Sequence, residues 1–358
     1  MKKILFPLIC ILFALSSCGN KPEKSIEEEI SSGVVLVQNQ SYYEIILSNG
    51  QHMYFTSFDE SSNKIQGLVT NPDSVSVSTS YGTGFFISED GKIVTNAHVV
   101  SNMIADKSVN KSMRKIIKNM KEYFASMYYE KVSKYEKAQQ MYDYANRSSE
   151  VSYEDFYKIR DYRDALKEEI NELKDVYATL NDIKVSESEV KYHNEVSIAY
   201  NNTFVTTTKD FISCVVTKTD SEHDLAVIQL KNKKTPEDNY IFEVPEEDPL
   251  ENYSFSENLT ETFGTDKNSK LCTCSFNMGP ALALTKEGVK SQFNTGTISQ
   301  TTEYRLMYSI PTLPGSSGSP VVNLRGQLVA VNYAGLSTTQ NFNYGVRIKY
   351  LKNLLERP

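Results

Sequence analysis

A short segment near the C-terminal end surrounds a serine with residues that could make it a nucleophile. Residues 314–321 read Pro-Gly-Ser-Ser-Gly-Ser-Pro-Val, so Ser317 follows one glycine by two positions and directly precedes another. A serine hydroxyl attacks a carbonyl only when a base takes its proton and donors stabilise the oxyanion. Glycines permit a tight turn that aims backbone N–H groups at such a charge, here those of Gly315 and Ser317. The segment by itself also fits an ordinary turn between two strands.

Two further segments supply a base and a carboxylate. His98 lies in the segment Ile93–Val100, and Asp224 directly precedes the apolar run Leu225–Leu230. A histidine can take the serine proton, and a buried carboxylate can hold that histidine in the reactive tautomer. We therefore predict a triad with His98 as the base, Asp224 as the orienting carboxylate and Ser317 as the nucleophile.

The order His, Asp, Ser is one of those in which this triad recurs. The segments around its members are Gly82-Thr-Gly-Phe-Phe-Ile, Thr95-Asn-Ala-His-Val-Val, His223-Asp-Leu-Ala-Val-Ile and Pro314-Gly-Ser-Ser-Gly-Ser-Pro-Val-Val. They resemble the trypsin-like serine proteases of the HtrA/Deg type. The resemblance implies a mainly β fold of two six-stranded antiparallel trypsin-like β-barrels, acyl-transfer chemistry, and neither a metal nor an organic cofactor.

Two positions near the nucleophile bear on specificity and strain. The family has Gly-Gly-Pro after its serine where this chain has Gly318-Ser319-Pro320, so a positive φ at Ser319 would be strained. Pro311 occupies the position that forms the floor of the specificity pocket in this fold, and it is uncharged. We therefore expect cleavage after a small or aliphatic residue rather than after Lys or Arg. A closing helix is predicted over Lys349–Glu356. We also expect no PDZ domain, because no residues remain for one after this helix.

The stretch between His98 and Asp224 is longer than a compact barrel of this family needs. It contains no glycine or proline from Lys107 to Lys184. Apolar side chains recur at three- and four-residue spacing on both sides of a break near residues 146–149, and Ser152 can cap the second helix. The pattern predicts an antiparallel helical hairpin inserted in the first barrel, with arms of about 35 residues and about 50 Å.

The role of this hairpin has two interpretations. Its tyrosines could pack within a coiled coil that covers the first barrel, as residues at helical spacing usually do. They could also form an arm that binds substrate, a partner or a second copy of the chain, because tyrosine is favoured at interfaces. After the hairpin, Val196–Tyr200 and Thr203–Thr207 are predicted to pair as strands around Asn201-Asn202.

The N-terminal residues have the features of a targeting segment. Lys2 and Lys3 precede an apolar run, Ile4–Leu15, that is too short to be a stable membrane span. The run ends in Leu15-Ser-Ser-Cys18, which resembles a bacterial lipobox. We expect lipidation of Cys18 and a protein anchored at the bacterial cell envelope, on the outer membrane or a periplasm-facing membrane surface. Ordinary secretory cleavage after the small residues is the alternative.

Charge and cysteines restrict the partners further. The net charge is −7 and no basic run alternates with aromatic residues, so we do not expect a nucleic-acid partner. Cys214, Cys272 and Cys274 remain after the leader and the lipidated cysteine, and an odd number cannot all pair within the chain. Cys272 and Cys274 would share one face of a strand; a metal-binding Cys-x-Cys pair is the less favoured alternative.

Together these features predict an order of segments and a function. The order is a signal peptide (1–17), a tether (18–29), the first barrel with His98 (30–106), the helical hairpin (107–190), the rest of the first barrel with Asp224 (191–235), and the second barrel with Ser317 and a closing helix (250–358). The predicted function is a serine endopeptidase acting on unfolded or secreted proteins. A catalytically inactive or gated scaffold lipoprotein that works through the hairpin is the alternative.

Overall fold

The fold is given by a computed structural model that describes residues 21–59, 61–102, 104, 106–207, 210–251, 270–335 and 342–357. The predicted leader and Cys18 lie outside the described residues. The chain divides into two compact units: residues 1–41, 79–103 and 194–358 form the first, and residues 42–78 and 104–193 form the second. Within the described residues, no helix combines the length and the apolar character that a membrane crossing requires.

The strands and helices alternate unevenly along the chain. The strands are β1 (Val34–Ile46), β2 (His52–Phe55), β3 (Ser57–Asp59), β4 (Lys64–Gln66), β5 (Ser78–Phe86), β6 (Lys92–Thr95), β7 (Glu189–Tyr200), β8 (Ile212–Asp220), β9 (Leu225–Leu230), β10 (Lys270–Ser275), β11 (Leu284–Thr285), β12 (Gly288–Val289), β13 (Gln292–Thr301), β14 (Arg305–Tyr308), β15 (Pro320–Asn323), β16 (Leu328–Gly335) and β17 (Asn343–Arg347). The α-helices are α1 (Glu23–Ile30), α2 (Ala97–Val100), α3 (Asp106–Ala145), α4 (Tyr153–Asp182), α5 (Pro280–Ala283) and α6 (Ile348–Glu356).

Most strand residues of both barrels belong to the first unit, whereas the end of β1, all of β2 and the start of β7 belong to the second. In the first barrel the order around the sheet is β1-β5-β6-β9-β8-β7, and β7 pairs back to β1; β2 extends the sheet beyond β1. In the second barrel the order is β10-β13-β14-β17-β16-β15, closed by antiparallel pairing of β10 with β15. Closure leaves neither barrel with a free edge along its ring. The two six-stranded antiparallel barrels predicted from the sequence are confirmed.

Strand β9 shows why the first barrel is rigid next to the candidate site. All six of its residues are buried, and alternate side chains enter two different apolar clusters. Leu225 and Val227 share a cluster with Phe276, Cys272 and Cys274 of the second-barrel half of the chain. The intervening side chains pack with the other cluster, around Ile93. Because both faces of β9 are buried, the residue that precedes it is held firmly.

Cys272 and Cys274 face the same apolar cluster, as their alternation on a strand predicts. Both are free and fully buried. Burial raises the pKa of the Cys272 thiol to about 12 and raises the pKa of the Cys274 thiol as well. Both thiols are therefore protonated at neutral pH and behave as small apolar side chains.

The second unit contains the helical hairpin, as the sequence predicts. Helix α3 has 40 residues and α4 has 30, so the arms are less equal than the periodicity suggests. The Ser152 hydroxyl accepts a hydrogen bond from the N–H of Asp155 (3.1 Å) and caps α4. At the base of the hairpin, Met113 and Leu180 pack against strand residues of the same unit such as Phe55.

Towards its tip the two helices of the hairpin pack on each other. Arg163 lies over the ring of Tyr142, 3.9 Å from its centroid, and joins the two helices. Other tyrosines are exposed: Tyr129 has 70% of its surface accessible and Tyr153 has 86%. The tyrosines therefore divide between the two interpretations, because some pack between the helices and others face solvent.

The tether predicted for residues 18–29 is wrong for the part that the structure describes. Helix α1 begins at Glu23, and both Ile26 and Ile30 are fully buried in an apolar cluster of the first unit. The N–H of Lys21 donates to the carbonyl of Leu324 (2.7 Å), which joins the start of the segment to the turn after β15. The many charged residues of this segment led to the prediction of a tether. Ile26 and Ile30 are four positions apart, so they lie on one apolar face of the helix.

Candidate active site

The first barrel positions His98 through a short helix. Strand β6 is buried at Ile93 and Val94 and leads directly into α2. Ala97, Val99 and Val100 anchor this helix in the core, while the His98 side chain keeps 39% of its surface accessible. The single helical turn that follows the buried strand thus places the imidazole of His98 at the surface.

His98 and Asp224 make two hydrogen bonds with each other. Nδ1 of His98 lies 2.6 Å from Oδ2 of Asp224, and the His98 backbone N–H donates to Oδ1 (2.8 Å). A carboxylate can only accept hydrogen bonds, so Nδ1 carries the proton and the neutral ring has its lone pair on Nε2. Nε2 has no partner among the described residues, and it is the atom that a general base needs free.

Asp224 itself has an unusual backbone conformation. Its φ is +53°, in the left-handed region that asparagine and aspartate tolerate better than most residues. The side-chain amide of Asn96 donates to its carbonyl oxygen (2.8 Å) and fixes the peptide. Such strain clusters at sites where a side chain must be aimed, and here it aims the carboxylate at His98 just before β9 begins.

Ser317 lies in a loop in which some backbone N–H groups donate hydrogen bonds and others do not. The N–H groups of Ser316, Gly318 and Ser319 donate to backbone carbonyls at 3.0, 2.7 and 3.1 Å. Those of Gly315 and Ser317 have no acceptor within the described part of the chain. Two neighbouring free donors beside a serine have the arrangement that an oxyanion hole requires.

The glycines of this loop account for its shape. Gly315 and Gly318 have φ values of +99° and +88°, whereas Ser319 has no positive φ. A Cβ atom on Gly318 would overlap the carbonyl oxygen of Thr83 and the hydroxyl of Thr95. The strain expected at Ser319 is therefore absent, because the left-handed conformation falls on the preceding glycine.

The Ser317 hydroxyl makes no hydrogen bond with His98 among the described residues. Its Oγ donates a long hydrogen bond to the carbonyl of Tyr333 (3.5 Å), and no bond joins it to His98 among the described residues. A general base must come within hydrogen-bond reach of the proton that it removes. Proton transfer therefore requires that a hydrogen bond between Ser317 Oγ and His98 Nε2 form when substrate binds.

Thr83 connects the two barrels at the nucleophile loop, a role that the sequence analysis missed. Its hydroxyl donates to the carbonyl of Gly315 (2.8 Å) and accepts from the N–H of Phe276 (3.0 Å). Its own N–H donates to the carbonyl of Ser317 (2.8 Å). A threonine between two glycines was the only sequence signal for this role. Thr83 of β5 thus fixes the carbonyl groups of Gly315 and Ser317, the two residues whose N–H groups are free.

A buried pair supports the same loop from within the second barrel. Asn332 donates from its amide to the carbonyl of Ser316 (2.9 Å), and its own amide oxygen accepts from the hydroxyl of Tyr308 (2.7 Å). Burial raises the pKa of Tyr308 well above its usual value, so the hydroxyl stays a donor. This pair was also missed, because nothing in the sequence near Ser317 marks it.

The remaining predicted positions lie elsewhere. Pro311 is exposed, in the segment between β14 and the nucleophile loop, and its role in specificity stays a prediction. His223 lies 3.0 Å from Asp220 and stacks on Tyr350, so it has a carboxylate partner outside the triad. Cys18 lies outside the described residues.

Comparisons with known proteins find two family models that match parts of this chain. Residues 183–331 match the family model of the trypsin-like peptidase domain, and residues 46–115 match that of peptidase S46. The first match contains Asp224 and Ser317, and the second contains His98. Residues 183–331 are therefore similar to a trypsin-like peptidase domain.

A solved structure similar to this chain is that of the serine endoprotease from Yersinia pestis. The two share 11% sequence identity with a TM-score of 0.42, and the match covers 94% of this chain and 66% of that one. A comparison with curated proteins gives no match.

Proposed function

We propose that the protein is a serine endopeptidase of the HtrA/Deg type that cleaves unfolded or secreted proteins at the cell envelope. The observation that supports this most directly is the pair of hydrogen bonds between His98 and Asp224, which leaves Nε2 of His98 free. The unbonded N–H groups of Gly315 and Ser317 add the second requirement, a site for the oxyanion.

The chemistry follows from these groups. Nε2 of His98 takes the Oγ proton of Ser317 as Oγ attacks the peptide carbonyl carbon, and Asp224 stabilises the imidazolium. The N–H groups of Gly315 and Ser317 stabilise the oxyanion, each by about 3 kcal/mol of barrier. His98 then gives its proton to the leaving amine, and an ester on Ser317 remains. A water molecule that loses its proton to His98 releases the acid and restores the serine.

Digestion of reduced casein by three variants tests the proposal. The wild type and Ser319→Ala are expected to cleave casein, and Ser317→Ala is not. Ser319 is a matched control, because its buried hydroxyl has no hydrogen-bond partner among the described residues. Labelling with a fluorophosphonate adds a readout that does not depend on substrate, since only the activated serine reacts.

Each result of this experiment decides something different. Equal cleavage by all three variants would show that the activity does not come from Ser317. Labelling of Ser317 without casein cleavage would indicate an enzyme that is gated or selective. Absence of both cleavage and labelling would contradict the proposed activity and favour the alternative, a catalytically inactive or gated scaffold that acts through the helical hairpin.

We also propose that lipidation of Cys18 anchors the protein to a membrane, which rests on the lipobox-like segment Leu15-Ser-Ser-Cys18. Cys18→Ser is expected to move the protein from the membrane fraction to the soluble fraction and to abolish incorporation of labelled palmitate. Cys10→Ser, in the segment expected to be removed, serves as the control and should change neither. A Cys18→Ser protein that still sediments with membranes would contradict the anchor.

A further inference from the structure

On the second barrel, an arginine without a carboxylate partner among the described residues lies between tyrosine rings. The guanidinium carbon of Arg305 is 4.7 Å from the ring centroid of Tyr304, 5.5 Å from that of Tyr333 and 5.8 Å from that of Tyr344. Stacking on aromatic faces fixes the plane of a guanidinium and leaves its N–H edges free to donate. The arrangement holds a positive charge in one orientation at the surface of the second barrel.

The charge of Arg305 is not neutralised within the described residues. No carboxylate of that part of the chain lies within ion-pair distance of it, although the neighbouring cations are paired. Arg347 lies 2.8 Å from Asp248, and Lys349 lies 2.6 Å from Glu303. Arg305 is therefore exposed, oriented by the tyrosine rings and without an ion pair among the described residues.

The backbone around Arg305 is also held in place. Its N–H donates to the Thr302 hydroxyl (3.1 Å), and its carbonyl accepts from the Thr302 N–H (2.8 Å). A cavity of about 230 Å³ opens at this point, lined by Arg305, Tyr304, Tyr344 and Met307 among others. The volume is sufficient for a carboxylate side chain beside the guanidinium.

Tyr333 connects Arg305 to the reactive serine. Its carbonyl accepts from the Ser317 hydroxyl, and its ring packs on Arg305 and Tyr344. Burial raises the pKa of Tyr333, Arg305 opposes that rise, and the charge of Asp224 adds to it. Since the single residue Tyr333 bridges the two groups, Ser317 and the guanidinium are separated by no more than on the order of 15 Å, which four or five residues of extended peptide can span.

We propose that Arg305 is a specificity-determining residue that binds an acidic side chain of the peptide substrate within a few residues of the scissile bond. A guanidinium edge offers two parallel N–H groups, which match a carboxylate and not an amide or an apolar group. The inference rests on the proposed peptidase function and adds to it a preference for acidic sequences. An aliphatic residue at the cleaved bond, as Pro311 suggests, is compatible with it.

Paired peptides test this preference by cleavage. Internally quenched octapeptides carry Glu or Gln at each position within four residues of one aliphatic cleavage site. The wild type is expected to cleave one Glu peptide with a kcat/KM roughly tenfold or more above that of its Gln partner. Arg305→Gln should remove this ratio while leaving the Gln peptides unaffected, and Arg305→Lys should retain part of it.

Arg325 provides the matched control. It is an exposed arginine in the turn after β15, and Arg325→Gln should keep the full preference for Glu. Thermal melting verifies that each variant is folded. Equal cleavage of Glu and Gln peptides by the wild type, or a preference that survives in Arg305→Gln, would overturn the inference.

Binding to the inactive protein separates this inference from the proposed function. The same peptides, labelled with a fluorophore, are titrated into Ser317→Ala with and without Arg305→Gln, and anisotropy gives Kd. A tenfold tighter Kd for a Glu peptide, lost with Arg305→Gln, supports the acidic site even if the wild type cleaves nothing. Equal Kd values for all pairs would reject it even if the wild type is an active peptidase.

Discussion

Asp224→Asn is expected to lower kcat for peptide cleavage by about 10⁴-fold, with little change in KM. Oδ2 of Asp224 accepts the proton on Nδ1 of His98, at 2.6 Å. An asparagine amide can turn its NH₂ group towards Nδ1, which places the imidazole proton on Nε2 and removes the base. Asparagine tolerates the left-handed φ of +53° at this position, so the backbone should persist and the loss should be one of chemistry.

The matched control is Asp220→Asn, since Asp220 also pairs with a histidine, His223, at 3.0 Å. That pair lies outside the triad, so kcat should stay close to that of the wild type after correction for folded fraction. Steady-state kinetics on one quenched peptide and thermal melting of each variant provide the measurements. If Asp224→Asn keeps a tenth or more of the wild-type kcat, the role given to Asp224 is wrong.

The second large effect is expected from Gly318→Ala. The added Cβ would overlap the carbonyl of Thr83 and the hydroxyl of Thr95, at a φ of +88° that an L-residue rarely adopts. The loop must therefore move, at a cost of roughly 2–5 kcal/mol of unfolding free energy. Displacement of Ser317 by about 1 Å should cost roughly a hundredfold in kcat among the molecules that remain folded.

Gly326→Ala separates crowding from backbone conformation. Gly326 has a similar φ of +82°, but the nearest atom to its added Cβ would be Nζ of Lys21, at 3.6 Å. This variant should lose only about 1–2 kcal/mol of unfolding free energy and keep its activity. Urea unfolding and peptide cleavage are measured on both variants. Equal losses in the two would mean that the contact with Thr83 and Thr95 has no special importance.

Much of this protein could be predicted from local patterns. The residues proposed for the triad stand in blocks whose order along the chain carries the information, and the helical hairpin follows from its three- and four-residue periodicity. The Ser152 cap is formed as predicted, because capping depends only on residues within one turn. These features need no knowledge of distant contacts.

Two predictions are wrong: the strand over residues 203–207 and the tether that includes helix α1. The sequence predicts a strand over residues 203–207, but the carboxylate of Asp210 accepts from the N–H and hydroxyl of Thr206 (2.7 and 2.8 Å). This side chain satisfies the groups that a strand would pair, so the segment is a loop. The segment of helix α1 is highly charged, but it folds as a helix because Ile26 and Ile30 pack in an apolar cluster of the first unit.

The sequence by itself determined which residues could act as base, carboxylate and nucleophile, and where the helical insertion lies. Only the tertiary structure decided how the nucleophile loop is held and what surrounds it. Thr83 and Gly315 are 232 positions apart, and Arg305 meets Tyr333 and Tyr344 only because β14, β16 and β17 are neighbours in a closed barrel. Barrel closure sets such distances, and no local pattern of residues records which side chains it will bring together.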